Sequence, residues 1–422
     1  MGRTVSAWVT RAGEGLGTVG PFPVDIPWWS ETEPVVERVG EALGVPVLVL
    51  RLLRVEGGEG ARNGHVTYHV EALERPDPAP PTAGHPPPAG LAALLRPEPL
   101  RASWATADGL AQALDWAART LAAAGRPPTG PAVQRRTWNL SGLFRLPTAR
   151  GPVWLKATPR FAADEAAVIA AFARADPGLV PALVGAGERR VLLEHLPGED
   201  HWGAAEEVAT GVLRRLVAAQ AALPALLAPG GGAADAGAAD GEGPPPGLRD
   251  GRGAVLAGRI RALLDGPLAH ELTAEERAAA HALAARWPLL DACGLPDTVV
   301  HGDFHPGNWR GERGGPPVVV DFADASYGNP VLDGLRARDF LPEAARGAAA
   351  RAWIDAWKEH APGSDPARAL AVAEPLAHLG YALRYQEFLD GIEPTERIYH
   401  RGDPAAAVRA ALRAASDGLG TG

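Results

Sequence analysis

Residues 299–310 constrain this chain more than any other part of its sequence, and they read Val-Val-His-Gly-Asp-Phe-His-Pro-Gly-Asn-Trp-Arg. Two short β-branched runs, residues 298–300 and 318–320, predict strands. Between them, Gly302 and Pro306 exclude a helix, because glycine and proline interrupt helices and favour tight turns. The sequence therefore predicts a strand, a tight polar loop and a second strand.

The polar side chains of this segment suit phosphoryl transfer. Asp303 is followed five residues later by Asn308, and Asp321 ends the second strand. A carboxylate can orient an acceptor hydroxyl and accept its proton, while Mg²⁺ that bridges nucleotide phosphates prefers oxygen ligands such as an amide carbonyl and a carboxylate. The segment thus supplies one candidate base and two candidate metal ligands.

A zinc site formed by His301 and His305 is an alternative for this loop. Histidines four residues apart bind zinc from one face of a helix, and Gly302 and Pro306 prevent a helix here. The sequence therefore disfavours zinc.

The pattern His-Gly-Asp-x-His-x-x-Asn followed by Val-Asp-Phe resembles the aminoglycoside phosphotransferase family, the small-molecule branch of the protein-kinase-like fold, to which choline and homoserine kinases are related. The resemblance implies an α+β, bilobal protein-kinase-like fold. It implies that Asp303 is the catalytic base and that His301 braces the loop. Asn308 and Asp321 would then bind the metal. A Gly/Pro turn with unrelated polar residues is disfavoured, because five residue types fall at fixed spacing.

Lys156 ends a strand predicted over residues 153–157, the context in which kinase-like folds place the lysine that binds the α and β phosphates. The chain holds 41 Lys plus Arg, yet only Lys156 and Lys358 are lysines. Because arginine stands almost everywhere else, we expect a retained lysine to be chemically required, as a compact ammonium is not reproduced by a guanidinium fork. An exposed lysine at the strand end is the alternative.

Other nucleotide-binding residues follow from the same resemblance. The turn over residues 139–142 would cover the phosphates through Ser141 and Gly142, although hairpins with such turns are common. The segment after the buried run 191–193 would be the hinge that meets adenine through the backbone of Glu194, His195 and Leu196.

A helix predicted over residues 161–174 carries the expected partner of Lys156. Glu165 fits that position, and the adjacent Asp164 is the alternative partner. A solvated first-turn acid, stabilised by the helix dipole, is the competing interpretation for Glu165.

Two further acidic regions lie beyond the loop. Asp333 resembles the family's aspartate that supports the catalytic loop, despite Asn329 where Asp is usual and Gly334 where Leu is usual. A helix N-cap is the alternative for Asp333. In the C-terminal helices predicted over residues 367–390 and 404–415, acidic residues of relatives bind a cationic sugar. For the corresponding group in this chain we prefer an ordinary solvated face: Tyr381, Tyr385, Glu387, Asp390, Glu393 and Glu396.

The predicted domain organisation has four parts. Residues 1–100 form a small α/β N-terminal extension, residues 101–130 a proline-flanked connecting helix, residues 131–198 a kinase-like N-lobe, and residues 199–422 a mostly helical C-lobe. The C-lobe contains the catalytic loop and a low-complexity insertion, residues 228–253, which we expect to be disordered because its apolar content is too low for folding.

Within residues 1–100, strands are predicted over 5–10, 47–54 and 65–72, with a helix over 31–43 capped by Ser30. Residues 15–20 match the glycine pattern GxGxxG. Prolines follow it, so no helix opens there, and we predict a turn between strands rather than a dinucleotide site.

The formal net charge of −9 and the pI near 5.8 argue against a nucleic-acid or membrane-surface binder, since either needs a basic face. The single cysteine, Cys293, excludes an internal disulfide. The N-terminus lacks a charged segment followed by an apolar one, and no apolar run reaches the length of a membrane span. We therefore expect a cytoplasmic protein without nucleic-acid, membrane or obligate protein partners.

Together these features predict a phosphotransferase that uses ATP or GTP and Mg²⁺ to move the γ-phosphoryl group to a hydroxyl of a small polar molecule. An aminoglycoside-type antibiotic is the leading acceptor by family analogy, which would make the protein an antibiotic-resistance enzyme. A metabolic kinase acting on a sugar, an amino alcohol or another antibiotic is the alternative. A nucleotide-binding regulator without turnover is disfavoured, because base, metal ligands and lysine are all present.

Overall fold

The computed structural model describes residues 2–77, 87, 89–228 and 244–419. The chain divides into two compact units. The first comprises Met1–Phe161, Val184–His195 and Phe388–Arg401, and the second comprises Ala162–Leu183, Leu196–Glu387 and Gly402–Gly422. None of the described helices is long and apolar enough to cross a membrane.

The first unit contains a four-stranded sheet in the order β2-β1-β4-β3. Its strands β1 and β4 are parallel and the other pairs are antiparallel. Helix α1 buries Val35 and Val39 in the same hydrophobic cluster as Val5 and Val49 of the sheet. The bounds are β1 Arg3–Arg11, β2 Glu14–Val24, α1 Glu33–Leu43, β3 Val47–Glu56 and β4 His65–Ala72.

Two local predictions for this sheet were wrong. The GxGxxG segment lies inside β2, where Gly17 pairs with Val9, so it is strand rather than turn. Helix α1 begins at Glu33, and its N-cap residue is Thr32, which makes no side-chain capping bond. A proline in the first turn fixes this start instead, because its φ already suits a helix and its missing N–H is not needed there.

A second sheet in the first unit has the order β5-β6-β7-β9-β8. Helix α3 packs on it with Leu110, Ala113, Ala117 and Leu121, in one cluster with Phe144 of the sheet. The bounds are α3 Ala107–Ala123, β5 Val133–Trp138, β6 Ser141–Leu146, β7 Val153–Ala157, β8 Leu183–Gly187 and β9 Arg190–Glu194.

The two sheets share one compact unit, so the units do not divide near residue 130. Leu48 and Leu50 of β3 pack with Phe144 of β6. The Gln134 amide donates to the Val49 carbonyl at 2.7 Å and accepts from the Val49 N–H at 2.8 Å. The N-terminal residues therefore complete the packing of the second sheet.

The second unit is mainly helical, with two small three-stranded sheets, β10-β13-β14 and β11-β15-β12. A sheet-rich first unit and a helical second unit confirm the α+β class. The helices are α4 Glu165–Ala175, α5 Glu206–Leu227, α6 Gly253–Asp265, α7 Ala274–Ala284, α8 Trp287–Asp291, α9 Val331–Phe340, α10 Glu343–His360, α11 Pro366–Gly391, which ends in the first unit, and α12 Asp403–Leu419. The strands are β10 Glu199–Asp200, β11 Arg249–Gly251, β12 Thr298–Val300, β13 Trp309–Gly311, β14 Val318–Val319 and β15 Ser326–Gly328.

Helix α5 continues through Pro224, where the sequence predicts its end. Proline lacks the N–H that would bond to the carbonyl four residues earlier, so the Gln220 carbonyl needs another donor. The Thr298 hydroxyl donates to that carbonyl at 2.6 Å. This long-range partner explains why the proline is tolerated near the helix end.

The prediction that residues 228–253 are disordered is wrong for the C-terminal end of this segment. Strand β11 pairs in parallel with β15, and α6 begins at Gly253. Low apolar content predicted disorder, but backbone pairing and the long-range ion pairs of Arg249 order this part instead. Residues 229–243 lie outside the described residues, as do residues 78–86 and 88 of a proline-rich stretch. In that stretch Ala89–Leu94 form a short helix, α2.

Candidate active site

The predicted loop connects β12 to β13 in the second unit. Gly302 has φ of +86°, and a Cβ at this position would lie 2.3 Å from the Asp324 carbonyl oxygen, so only glycine fits. The Val320 N–H donates to the Asn308 carbonyl at 2.9 Å. That bond holds Asn308 beside the end of β14, where Asp321 follows in a left-handed conformation with φ of 69°.

Asp333, in the first turn of α9, anchors this loop by accepting hydrogen bonds from its backbone. Its Oδ2 accepts from the His301 N–H at 2.8 Å and from the Gln220 amide at 2.8 Å, and its Oδ1 accepts from the Gly302 N–H at 2.9 Å. The side chain is fully buried, and burial raises its pKa although the His301 ring and these donors oppose the rise. The predicted supporting role of Asp333 is confirmed, and the N-cap interpretation was wrong.

His301 contacts the start of the loop and the residue that follows β14. Its Nδ1 accepts from the Asp303 N–H at 3.2 Å, and its Nε2 lies 3.0 Å from the Val320 carbonyl. A ring that accepts at Nδ1 must carry its proton at Nε2, so the second contact is a donated bond. These are the contacts of a residue that braces the loop.

Asp303 has an unexpected cationic neighbour. Arg336 of α9 donates to Asp303 Oδ1 from Nε at 2.9 Å and from Nη2 at 2.8 Å. His305 Nε2 lies 3.3 Å from Oδ2. Burial alone would raise the pKa of Asp303, but the His305 hydrogen bond and the Arg336 charge hold it well below its usual range. Asp303 is therefore a weakly basic carboxylate.

The sequence analysis missed Arg336, although one signal was available. Arg336 lies three residues after Asp333 on the same helix, and residues at that spacing share a helix face. A helix that presents Asp333 to the loop backbone therefore also presents its next turn to the loop. The guanidinium lies 4.4 Å from the Phe340 ring centroid and 5.0 Å from that of Tyr381, which fix its orientation.

The residues predicted to bind Mg²⁺ have suitable chemistry. The Asn308 side-chain nitrogen donates to the Asp303 carbonyl at 2.9 Å, which leaves its amide oxygen for another partner. Asp321 is exposed. An amide oxygen and a carboxylate are hard ligands, and Mg²⁺ usually takes its remaining ligands from phosphates and water. In the described part of the chain, no group of three or more His, Cys, Asp and Glu residues is arranged to hold a metal.

Lys156 lies in β7 of the first unit and is buried, so the interpretation as an exposed strand-end lysine was wrong. It pairs with Leu143 of β6 and Val191 of β9 in the sheet register. The sheet thus brings Gly142 within one residue of Lys156 across the strand pair, because Gly142 pairs with Ala157.

The other predicted nucleotide residues have local partners. Ser141 and Gly142 are the first residues of β6, and the Ser141 hydroxyl accepts from Trp138 Nε1 at 3.0 Å. Glu194, at the end of β9, is paired with Arg126. His195 Nδ1 accepts from Trp154 Nε1 at 3.0 Å. In the second unit, the Leu196 carbonyl accepts from Arg310 Nε at 3.2 Å.

The adjacent residues Asp164 and Glu165 have different contacts in the structure. Asp164 is the N-cap of α4, and its carboxylate accepts from the Ala167 N–H at 3.2 Å. Glu165 is buried and accepts from the Phe322 N–H at 3.0 Å, so the solvated first-turn interpretation was wrong. Glu165 as the partner of Lys156 stays a prediction.

Most of the C-terminal acidic group is not the solvated face that we expected, and only Asp390 is exposed. Glu387 accepts from Arg249, Arg259 and Arg384. In the first unit, buried Glu393 pairs with Arg51 and Arg101, and buried Glu396 accepts from the Leu52 N–H. The arginine partners come from distant segments, which a local charge pattern cannot reveal.

Comparison with known proteins identifies the family. Residues 135–370, more than half of the chain, match the phosphotransferase enzyme family known as APH. No protein of curated function matches the sequence. Similar solved structures include a choline/ethanolamine kinase family protein from Mesorhizobium loti, with 16% identity, 72% of this chain and 98% of that chain covered, and a TM-score of 0.47.

Two further similar structures are the macrolide 2′-phosphotransferase from Brachybacterium faecium and the choline kinase from Cryptosporidium parvum. The first has 22% identity, covers 71% of this chain and 97% of its own, and has a TM-score of 0.44. The second has 10% identity, covers 68% and 90%, and has a TM-score of 0.47. Because these TM-scores are below 0.5, the assignment rests on the sequence match. The chain therefore belongs to the phosphotransferase enzyme family and is a small-molecule phosphotransferase of kinase-like fold.

Proposed function

We propose that this protein transfers the γ-phosphoryl group of ATP or GTP to a hydroxyl group of a small polar molecule, with Mg²⁺ as cofactor. The observation that supports this proposal is the construction of the loop. Asp333 and His301 fix the backbone at residues 301–303, and the same loop holds Asn308 beside Asp321. Phosphoryl transfer depends chiefly on such positioning.

In this proposal Asp303 accepts a hydrogen bond from the acceptor hydroxyl. The acceptor oxygen forms a bond to the γ-phosphorus, the bond between the γ-phosphorus and the β,γ-bridging oxygen breaks, and the hydroxyl proton passes to Asp303. The low pKa of Asp303 suits a loose transition state, in which the proton leaves late and a strong base is unnecessary. Orientation of the hydroxyl is then the main contribution of this carboxylate.

Asn308 and Asp321 would hold the metal, which neutralises phosphate charge when bound. Lys156 would bind phosphate oxygens of the nucleotide, and its burial in β7 limits competing hydration of the ammonium. Glu165 would orient that lysine. Ser141, Gly142 and the backbone of residues 194–196 would contact the nucleotide.

The acceptor is a separate proposal. Family analogy favours an aminoglycoside-type antibiotic, and a sugar, an amino alcohol or another antibiotic is the alternative. A nucleotide-binding regulator without turnover is disfavoured, because a candidate base and metal ligands are held in one ordered loop.

The test is transfer of the γ-phosphoryl group from labelled ATP or GTP to a panel of hydroxylated acceptors, with and without Mg²⁺. We expect a phosphorylated product that requires both Mg²⁺ and an intact Asp303. Tight nucleotide binding without transfer to any member of a broad panel would contradict the proposal and favour the regulator.

A further inference from the structure

Three aromatic rings of the second unit adjoin the candidate base. His305 Nε2 lies 3.3 Å from Asp303 Oδ2. The His305 ring stacks on Trp202 with the ring centroids 5.0 Å apart, and its centroid also lies 5.0 Å from that of Phe340. The centroids of Trp202 and Phe340 are 6.1 Å apart. We call Trp202, His305 and Phe340 the aromatic surface.

The Trp202 indole is held against the loop that carries Asp303. Strand β10 pairs with β13, and the His201 N–H donates to the Pro306 carbonyl at 2.9 Å, so the backbone just before Trp202 is fixed. A Cβ at Gly307 would collide with the Trp202 indole, although the φ of Gly307 lies outside the left-handed region. Gly307 is therefore required to make room for the indole rather than by its own backbone conformation.

Two rings of the aromatic surface are nevertheless open to solvent. Trp202 is 53% exposed and Phe340 is 39% exposed, and the two side chains are neighbours. Isolated exposed apolar side chains are common, whereas adjoining ones mark surfaces that a ligand covers. A fixed, exposed indole next to the candidate base therefore indicates a place for the acceptor.

The hydrogen bonds of Asp303 direct the acceptor toward this surface. Its Oδ1 accepts from Arg336 Nε at 2.9 Å and from Arg336 Nη2 at 2.8 Å. Its Oδ2 has only longer contacts, with Asn308 Nδ2 and His305 Nε2 at 3.3 Å each. Because hydrogen bonds weaken as they lengthen, Oδ2 retains more capacity for the acceptor hydroxyl. That oxygen faces His305.

We infer that the acceptor is a cyclic alcohol whose apolar ring face lies on the Trp202 indole while its hydroxyl binds Asp303 Oδ2. This inference rests on the proposed function, because it places the reacting hydroxyl at the candidate base. A hydroxyl at Oδ2 brings its attached ring beside His305 and hence against Trp202. Stacking then removes apolar surface from water and adds dispersion contacts, which an acyclic polyol or amino alcohol provides less well.

A quaternary ammonium group fits the aromatic surface less well than a flat ring. Proteins recognise such cations with several aromatic faces that together enclose the charge. One face of Trp202 is stacked on His305, and Phe340 packs on His305 and lies 4.4 Å from the Arg336 guanidinium. The outer face of Trp202 is thus left to stack on a ring, without an enclosure for a cation.

The test compares probes that differ in ring closure. The matched pair is myo-inositol and mannitol, which have the same numbers of carbons and hydroxyls. Methyl β-glucopyranoside and benzyl alcohol present a saturated and an aromatic ring, and choline presents a quaternary ammonium. Binding to the full-length protein is measured by saturation-transfer difference NMR. We expect the cyclic probes to bind about tenfold more tightly than mannitol, with the strongest saturation on their ring protons.

Trp202→Ala is the informative variant, because it removes the stacking face and leaves Asp303 unchanged. It should weaken binding of the cyclic probes by about tenfold and leave that of mannitol unchanged, and Trp202→Phe should restore part of the loss. In transfer assays the KM for a cyclic acceptor should rise by about as much while kcat stays within about twofold. Trp28→Ala is the matched control, since Trp28 is 46% exposed in the first unit and should behave like the parent protein.

Gly307→Ala tests the fit between the loop and the indole. The added Cβ displaces Trp202, so cyclic probes should bind more weakly to Gly307→Ala than to the parent protein. The same change made in Trp202→Ala should add little, because the side chain that it displaces is absent. Thermal unfolding of each variant shows whether the fold is retained.

Equal binding of myo-inositol and mannitol, no binding of any cyclic probe, tighter binding of choline, or unchanged binding in Trp202→Ala would overturn the inference. Transfer to acyclic alcohols alone would leave the proposed function standing and exclude the stacked ring. Binding of cyclic probes that depends on Trp202, without transfer to any acceptor, would exclude the proposed function and leave the ring-binding surface.

Discussion

Two buried carboxylates, one in each compact unit, are held in different ways. Asp333 of the second unit is fully buried and accepts three hydrogen bonds, two of them from the backbone of the candidate catalytic loop. Glu396 of the first unit is also buried, but it accepts from the Leu52 N–H at 3.2 Å and lies near the acidic Glu393. Equal burial therefore serves two purposes: Asp333 organises a loop, whereas Glu396 packs a short helical segment against β3.

The difference lies in the donors. Burial of a carboxylate without enough donors favours its neutral form, and burial and the Glu393 charge raise the pKa of Glu396 to about 8. The comparison predicts that changes to those charged groups of the second unit that lie in or anchor the candidate catalytic loop alter turnover. Changes to those of the first unit should alter only stability, with Lys156 as the exception.

The largest effect is expected for Asp303→Asn. Loss of a general base typically lowers the rate by about 10²–10⁴-fold. Nucleotide binding should be retained, because the phosphate-binding residues are unchanged. Single-turnover transfer and nucleotide titration measure the two properties, and normal turnover would exclude Asp303 as the base.

Removal of a proposed metal ligand should have the next largest effect. Asn308→Ala and Asp321→Ala each remove one oxygen ligand, so turnover should fall by about 10²-fold at low Mg²⁺ and recover in part as Mg²⁺ rises. Magnesium titrations of both variants test this. Titration curves that superimpose on that of the parent protein would show that these residues do not bind the metal.

Asp333→Asn tests the loop anchor directly. The new NH₂ group would face a backbone N–H, so one buried donor is left unsatisfied, at a cost of about 1–3 kcal/mol. A loop displaced by about 1 Å can lose on the order of 10²-fold in rate, and we expect a loss of about tenfold or more. Asp339→Asn is the control, because the Asp339 side chain lies on the same helix and is more exposed. It should leave both turnover and melting temperature unchanged.

Lys156→Arg should lower turnover by at least about tenfold, or about 1.4 kcal/mol of barrier. A planar guanidinium is broader than an ammonium and would misplace the phosphates in a buried position. Lys358→Arg, on the exposed face of α10, should be silent. Full activity of both variants would show that an ammonium group is not required at Lys156.

Glu396→Gln should leave turnover unchanged and alter only the pH dependence of stability. The folded-state pKa of about 8 exceeds the ordinary value of 4.5, so the stability that this group contributes is complete below about pH 4.5 and is lost as pH rises through 8. At pH 9 the variant should be more stable than the parent protein by several kcal/mol, because glutamine has no charge to bury.

Denaturant unfolding at pH 5 and pH 9 measures that difference. Glu41→Gln is the control, because Glu41 is 71% exposed and should show no such crossover. An identical pH dependence in Glu396→Gln and the parent protein would show that Glu396 is ionised in the fold, and would end the contrast with Asp333.

The sequence by itself determined the candidate catalytic loop. The strands, the Gly302 turn and the polar residues lie within 24 consecutive positions, residues 298–321, and glycine and proline leave the backbone few conformations there. The same local logic predicted strand β7 at its observed bounds. It failed at Pro224, where a proline predicts the end of a helix. The helix continues there because the distant Thr298 supplies the missing hydrogen-bond donor.

Only the tertiary structure decided which charges meet. Arg249 and Glu387 are 138 residues apart, and Arg51 and Glu393 come from strand β3 and a C-terminal segment. An ion pair between distant segments depends on how helices and strands pack, and an isolated arginine or glutamate carries no local mark of its partner. The contacts of Glu387 with Arg249, Arg259 and Arg384 and the burial of Glu165 could therefore not be predicted, because each is fixed by packing rather than by neighbours in sequence.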